Sequence, residues 1–198
     1  MPVSEKLKST VAEFLSYKHK DLRARLQGGL AIDPARLDNF EYKGISLGLP
    51  AFIDKLAWKT FTKTFHRDPK TGDLRGWNVR MEQTGIFGPR VYRQKNGAPF
   101  TWGHYRVVSN AGRGGPIDVP QGLLLDYGQG GNSPWDITVD SMRDPLVALE
   151  KDSVDVLLGW SYMQFGGLQV STPSYFLLVR ECPLTHGATP PLAPRLVP

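Results

Sequence analysis

Cysteine is almost missing from this chain: Cys182 is the only one. No internal disulfide can form, and no zinc set built on several thiolates can be assembled. The four histidines, His19, His66, His104 and His186, share no short ligand-type spacing, so no metal is expected. Long apolar runs are also absent, and none approaches the ~20 residues that a membrane-crossing helix needs. The first residues, Met1 to Lys6, lack the apolar segment of a secretory signal. These absences point to a protein of the reducing cytoplasm with no membrane partner. Gly112-Arg113-Gly114-Gly115 and Gly128-Gln129-Gly130-Gly131 are glycine-rich, but no helix signal follows either one. Neither is therefore a phosphate-binding loop or a dinucleotide fingerprint. There is no Gly-x-Ser-x-Gly, and Cys182 borders a proline-rich tail, so no nucleophile triad can be built. No cofactor is expected.

Charge of one sign is not dominant. The 24 Lys and Arg against 19 Asp and Glu leave a net charge of +5. The basic residues are scattered apart from Lys18-His19-Lys20 with Arg23 and Arg25, and Lys55, Lys59 and Lys63 at helical spacing. Solvated helix faces explain both groups, and no nucleic-acid-binding motif accompanies them. Nucleic acid is therefore not the expected partner. The sequence leaves room for a homodimer.

What is present is a change of period. Ser4 can cap a helix whose apolar positions Leu7, Val11, Phe14 or Leu15, Leu22 and Leu26 recur at helical spacing, and Gly28-Gly29 closes it. Asp33-Pro34 restarts a short helical turn through Leu37. Tyr42 and Ile45 suggest a first strand. Pro50 opens a second helical segment over 51–66, with Phe52, Leu56 and Phe61 or Phe65 inward. From Trp77 onward the period is two, and Asn96-Gly97 is a strong hairpin signal. Strands are expected around Trp77–Met81, Pro89–Arg93, Phe100–Val108, Gln121–Tyr127, Leu146–Leu149, Val154–Met163 and Tyr175–Arg180. Short strands with 21 glycines and 16 prolines at the turns, and no helix-length crossovers, indicate an antiparallel sheet closed as a barrel or sandwich. The expected organisation is a helical region over 1–39, a mainly β, antiparallel barrel over 40–182 with one inserted helix at 51–66, and an irregular tail over 183–198.

The stretch Phe40-Glu41-Tyr42-Lys43-Gly44 followed by Trp58-Lys59-Thr60-Phe61 resembles the paired motifs of the GXWXG-type domain family. Gly44 matches the last glycine of the first motif, with Tyr42 at its tryptophan and Phe40 at its first glycine. Trp58 matches the second tryptophan, with Ala57 and Thr60 at glycine positions and Phe61 and Phe65 keeping the aromatic character. Leu123–Tyr127, Met142–Pro145, Leu157–Trp160 and Tyr175–Leu178 fall in the order of the segment that follows, so the resemblance spans about residues 37–181. It implies a lipocalin-like barrel with a cavity and carries over no catalytic residue.

In a small barrel, alternate residues point into the lumen, and polar groups there must be paired or cost roughly 2–7 kcal/mol. The candidate proton-transfer groups are His104, Asp126 and Glu82. The candidate ligand contacts are Trp58, Arg80, Trp102, Tyr105, Arg106, Tyr127, Trp160 and Tyr162. Arg80 or Arg106 would hold an anion, and His104 or a carboxylate would move a proton. Strict alternation puts Trp102, His104 and Arg106 on one face and Tyr105 on the other. A competing placement turns Asn78, Arg80 and Glu82 to solvent, with Trp77, Val79 and Met81 inward. His104 can equally be a core histidine, and Trp58 a core residue between helix and barrel. The leading functional expectation is a binder of a small, largely apolar molecule. The alternative is a cofactor-independent isomerase, cyclase or lyase acting in the same lumen.

Overall fold

The computed structural model describes residues 5–48, 59–133 and 135–193. Two helices come first, α1 (Glu5–Ser16) and α2 (His19–Gln27). Ten strands follow: β1 (Phe40–Leu47), β2 (Thr60–Arg67), β3 (Leu74–Val79), β4 (Gln94–Lys95), β5 (Ala98–Pro99), β6 (Thr101–Ser109), β7 (Leu123–Asp126), β8 (Met142–Ala148), β9 (Val156–Phe165) and β10 (Leu168–Pro183). Eight of them close an antiparallel barrel in the order β1-β10-β9-β8-β7-β6-β3-β2. Each barrel strand pairs with its neighbours in sequence, and β1 closes the ring on β10 from Phe40↔Pro183 to Leu47↔Tyr175. β4 and β5 form a separate hairpin, turned at Asn96 (φ 55°) and Gly97 (φ 76°), as the Asn-Gly pair dictates.

Burial follows from what covers each face. Val11 and Phe14 of α1 and Leu22 and Leu26 of α2 pack on the outside of the wall against Ile45, Leu47, Leu158, Trp160, Tyr175, Leu177 and Val179. The strands under these helices are buried on both sides, so they read as continuous apolar runs such as Leu157-Leu158 and Phe176-Leu177-Leu178. The helical run breaks between α1 and α2, where the Lys18 amide donates to Asp21 Oδ2 at 3.2 Å. Its end is as expected: the Gly28 amide donates to the Ala24 carbonyl at 3.0 Å. Asp33 caps the short turn Pro34–Arg36 by accepting from the Ala35 amide. Ser4 lies outside the described residues.

The expected inserted helix over 51–66 is not what forms over its second half. Residues 60–66 belong to β2, pairing with β1 from Phe40↔Phe65 to Ile45↔Thr60. The cause is the run Thr60-Phe61-Thr62-Lys63-Thr64-Phe65. Its β-branched residues alternate with large ones, a pattern suited to a pleated surface. Lys63 is therefore not on a helix face with Lys55 and Lys59; it points into the barrel. Residues 51–58, including Lys55 and Trp58, lie outside the described residues. Pro89–Arg93 forms no full strand, only a bridge between Tyr92 and Met81.

The tail past Pro183 is irregular, as expected, but its described part is tied to the wall. Thr185 donates its amide and hydroxyl to Glu41 Oε1, both at 2.8 Å, and the Leu192 amide donates to the Gly131 carbonyl at 2.9 Å. This covering buries Trp77 on the outer face of β3, where its Nε1 donates to His186 at 3.3 Å.

Candidate functional site

One half of the lumen is solid. Tyr42, Phe65, Tyr105, Leu125, Leu146, Leu157 and Leu178 fill it with rings and branched chains. Moving one or two inward positions along the strands leads to the other half, which is hollow. There Ser46 (β1), Phe61 and Lys63 (β2), Asn78 (β3), Trp102 (β6), Tyr127 (just after β7), Met142 and Asp144 (β8), Ser161 (β9), and Ser174 and Phe176 (β10) line a cavity of about 250 Å³. Two glycines make room for the cavity rings. A Cβ on Gly44 would lie 2.2 Å from the Phe61 ring, and one on Gly159 would lie 2.2 Å from the Phe176 ring.

A polar layer separates the two halves. Lys63 Nζ donates to Asn78 Oδ1 at 3.0 Å, to Asp144 Oδ2 at 3.1 Å and to the Tyr127 hydroxyl oxygen. Tyr127 in turn donates to Asp144 Oδ2 at 3.0 Å. Asn78 Nδ2 donates to the Gly103 carbonyl at 3.0 Å and to the Tyr127 oxygen at 3.2 Å. Four rings stand around the ammonium, those of Phe61, Tyr105, Tyr127 and Phe176, with Nζ 5.1–5.6 Å from their centroids. The side chains of Lys63 and Asp144 are 3% and 1% exposed, so this is a desolvated ion pair. Burial pulls the Lys63 amine below its ordinary pKa, while Asp144 opposes that shift. Burial and the Asp144 charge hold the Tyr127 hydroxyl protonated, well above its ordinary value. One group remains open: among the described residues, Asp144 Oδ1 has no hydrogen-bond partner. Buried polar atoms without partners are rare in native proteins.

Of the ligand contacts expected from the sequence, Trp102 and Tyr127 line the cavity and Tyr105 lies beneath it. Tyr105 donates to the Thr64 carbonyl at 2.7 Å and is part of the solid half. Trp58 lies outside the described residues. The remaining candidates do not line the cavity. Trp160 and Tyr162 stack at 5.5 Å on the outer face of β9, and Trp160 Nε1 donates to the Thr172 carbonyl. Arg106 pairs with Asp73 at 2.5 Å, and Arg80 lies over the Phe100 ring. Asp126 pairs with Arg143 at 3.1 Å, and exposed Glu82 pairs with Arg93 at 3.5 Å. His104 is buried outside the lumen, 6.2 Å from Trp77, and burial lowers its pKa to about 4. None of the expected proton-transfer groups or arginines reaches the cavity.

For His104 and Arg106 the reason is a bulge. Asn78 faces Trp102, yet Gly76 faces Tyr105, so β6 carries an extra residue against β3. Gly103, at φ 56°, supplies the left-handed backbone this requires. Trp102 and Tyr105 both turn inward, and His104 is carried outward. Asn78 is a further correction: it faces the lumen, while Trp77 and Val79 occupy the outer face, where they are buried all the same. Sequence reasoning missed Lys63 and Asp144 as site residues. The period-two run around Lys63 was the usable signal. Asp144, between Arg143 and Pro145, offered none.

Larger grooves lie outside the barrel, including one of about 420 Å³ beside α1 and β10. Its charged lining is largely solvated, as in Lys6–Glu150, where the side chains are 77% and 57% exposed. Convergence of buried polar groups on an apolar-walled void marks the lumen as the candidate site. Among the described residues, no group of three His, Cys, Asp or Glu side chains gathers as a metal site, and no helix is long and apolar enough to cross a membrane.

No protein-family model, curated protein or solved structure matches this chain. The class it belongs to is set by its fold alone: a closed, eight-stranded, antiparallel β-barrel with N-terminal helices on its wall.

Proposed function

We propose that the protein binds a small, largely apolar molecule in the hollow half of the barrel. The observation that carries this reading is the desolvated Lys63–Asp144–Tyr127–Asn78 layer beneath a cavity walled by Phe61, Trp102, Met142 and Phe176. A cavity of about 250 Å³ is below the roughly 300–1,000 Å³ of drug-sized sites, which limits the ligand to a single ring or a short chain. Lys63 and Asp144 cancel in charge, and Tyr127 and Asn78 are neutral. The preferred ligand is therefore uncharged, with a hydroxyl or similar donor to meet Asp144 Oδ1. An anion is not favoured, because neither Arg80 nor Arg106 lines the cavity. The single cysteine supports a reducing, cytoplasmic setting.

A titration of small cyclic alcohols, phenols and aldehydes by calorimetry tests the reading. Binding is expected in the wild type and is lost in Ser161→Phe, which fills the cavity from β9. Equal affinity in the two proteins would reject the lumen as the site.

A second reading, that of an isomerase, cyclase or lyase, draws on the same layer. A protonated Tyr127 beside an ammonium can polarise a carbonyl, and Asp144 Oδ1 can accept a proton from the adjacent carbon. This reading predicts that a bound ketone exchanges α-hydrogen for deuterium faster than the free ketone, and that Tyr127→Phe removes the acceleration.

A further inference from the structure

We propose that Lys63 is a covalent attachment point, its Nζ forming an imine with a small aldehyde or ketone in the lumen. The inference rests on the lumen-binding reading and deepens it by naming a substrate class. Three observations support it.

The amine is at a cavity. Lys63 lines the void together with Phe61, Trp102 and Phe176, so a carbonyl carbon held among those rings lies next to Nζ.

The site is built for a cation, and imine formation conserves the cation. Nζ lies 5.1–5.6 Å from four ring centroids and 3.1 Å from Asp144 Oδ2. A protonated imine would occupy the same aromatic surround with the same carboxylate as counter-ion. No charge enters or leaves the desolvated layer, so the burial cost already met by the fold is not increased.

Proton carriers for each step stand in place. Asp144, with Oδ1 unpartnered among the described residues, takes a proton from the ammonium. The neutral nitrogen forms a bond to the carbonyl carbon, and its proton passes to the carbonyl oxygen, giving a carbinolamine. The nitrogen lone pair then forms the C=N bond as the C–O bond breaks. Protonated Asp144 returns its proton to the departing hydroxyl, which leaves as water. Ammonium and carbonyl have become iminium and water, with Asp144 again a carboxylate. Tyr127, hydrogen-bonded to both Lys63 and Asp144, orients the pair. Desolvation of Lys63 favours the free amine, whose fraction near neutral pH rises about tenfold for each unit by which the pKa falls.

The test is reductive trapping on the full chain. The protein is incubated with benzaldehyde and cyanoborohydride at neutral pH, and adducts are located by peptide mass mapping. The expected result is a benzyl adduct on Lys63 that forms ahead of any on exposed lysines such as Lys18 and Lys20. Benzyl alcohol, which fits the same void but has no carbonyl, should slow that labelling. Lys63→Arg should lose the early adduct. Because the wild-type map alone locates the adduct, a folding defect in the variant does not remove the test. Labelling of exposed lysines with Lys63 unmodified would overturn the proposal. In that event, calorimetric binding of benzyl alcohol in the wild type, lost in Ser161→Phe, would leave the lumen reading standing. Absence of that binding would overturn both.

Discussion

Two buried carboxylates set the parts of this barrel apart. Glu41, on the outer side of β1, is saturated. Its Oε1 accepts from the amide and hydroxyl of Thr185 and pairs with His186, and its Oε2 accepts from Arg90 at 2.6 Å and from Tyr92. Asp144, inside, has one oxygen serving Lys63 and Tyr127 and the other with no partner among the described residues. Asp144 lines the lumen void and Glu41 does not. A saturated network fastens chain segments together, here the tail and the 84–93 loop to the barrel wall. An unsaturated one beside a void retains capacity for something else. Both are buried ion networks, but only the second has the form of a site.

The largest effect that would break this comparison comes from the lumen pair. Asp144→Ala strands the Lys63 charge and should cost about 3–5 kcal/mol in urea unfolding. The double variant Lys63→Met with Asp144→Leu should regain most of that stability, since apolar replacement of a buried pair is often neutral or favourable, yet bind no lumen ligand. A double variant that unfolds as readily as the single one would show the layer to be architectural, like the Glu41 network.

Next in size is the outer network under acid. Burial alone would raise the Glu41 pKa, but hydrogen bonds from His186, Tyr92 and Thr185 override it and bring the value to about 2, below the ordinary 4.5. The folded state therefore holds its proton less tightly than the unfolded chain. The stabilisation is complete above pH 4.5, is lost as pH falls toward 2, and amounts to about 3 kcal/mol. Glu41→Gln should lower stability at neutral pH and flatten that limb. His104 acts in a higher window. Its folded pKa of about 4 lies below the ordinary 6.5, so the unfolded chain protonates first and stability falls from pH 6.5 toward 4. Unfolding series at pH 7, 5 and 3 separate the two, because His104→Gln should flatten only the upper window.

A smaller effect sharpens the boundary between inside and outside. His104→Gln should leave lumen affinity unchanged, whereas Trp102→Ala, at the cavity wall, should weaken it. The smallest is Glu82→Gln. Its exposed pair with Arg93 should be worth no more than about 0.5 kcal/mol, with no effect on binding.

The barrel itself was legible because turn chemistry and period two are local signals. Asn96-Gly97 turns a hairpin, and the strand runs from Trp102 to Val179 close in sequence order. The site was less legible, for two physical reasons. One is that facing depends on strict alternation, and the extra residue at Gly103 reverses it for His104. The other is that α1, α2 and the tail bury the outer wall. Trp77, Trp160 and Tyr162 then look like lumen residues although they face outward. Lys63 was hidden by its neighbours: Phe52, Leu56, Phe61 and Phe65 fit a helical spacing, which outweighed the alternating threonines of β2. Trp102 and Tyr127 were recoverable because aromatic residues on an inward strand position serve a ligand wall and a core equally well.

The most direct measurement is a crystal structure of the protein with benzyl alcohol bound. The account predicts density in the void between Phe61, Trp102 and Phe176, with the hydroxyl within hydrogen-bond distance of Asp144 Oδ1. Density only in the outer groove beside α1, or a lumen closed by its own side chains, would contradict it.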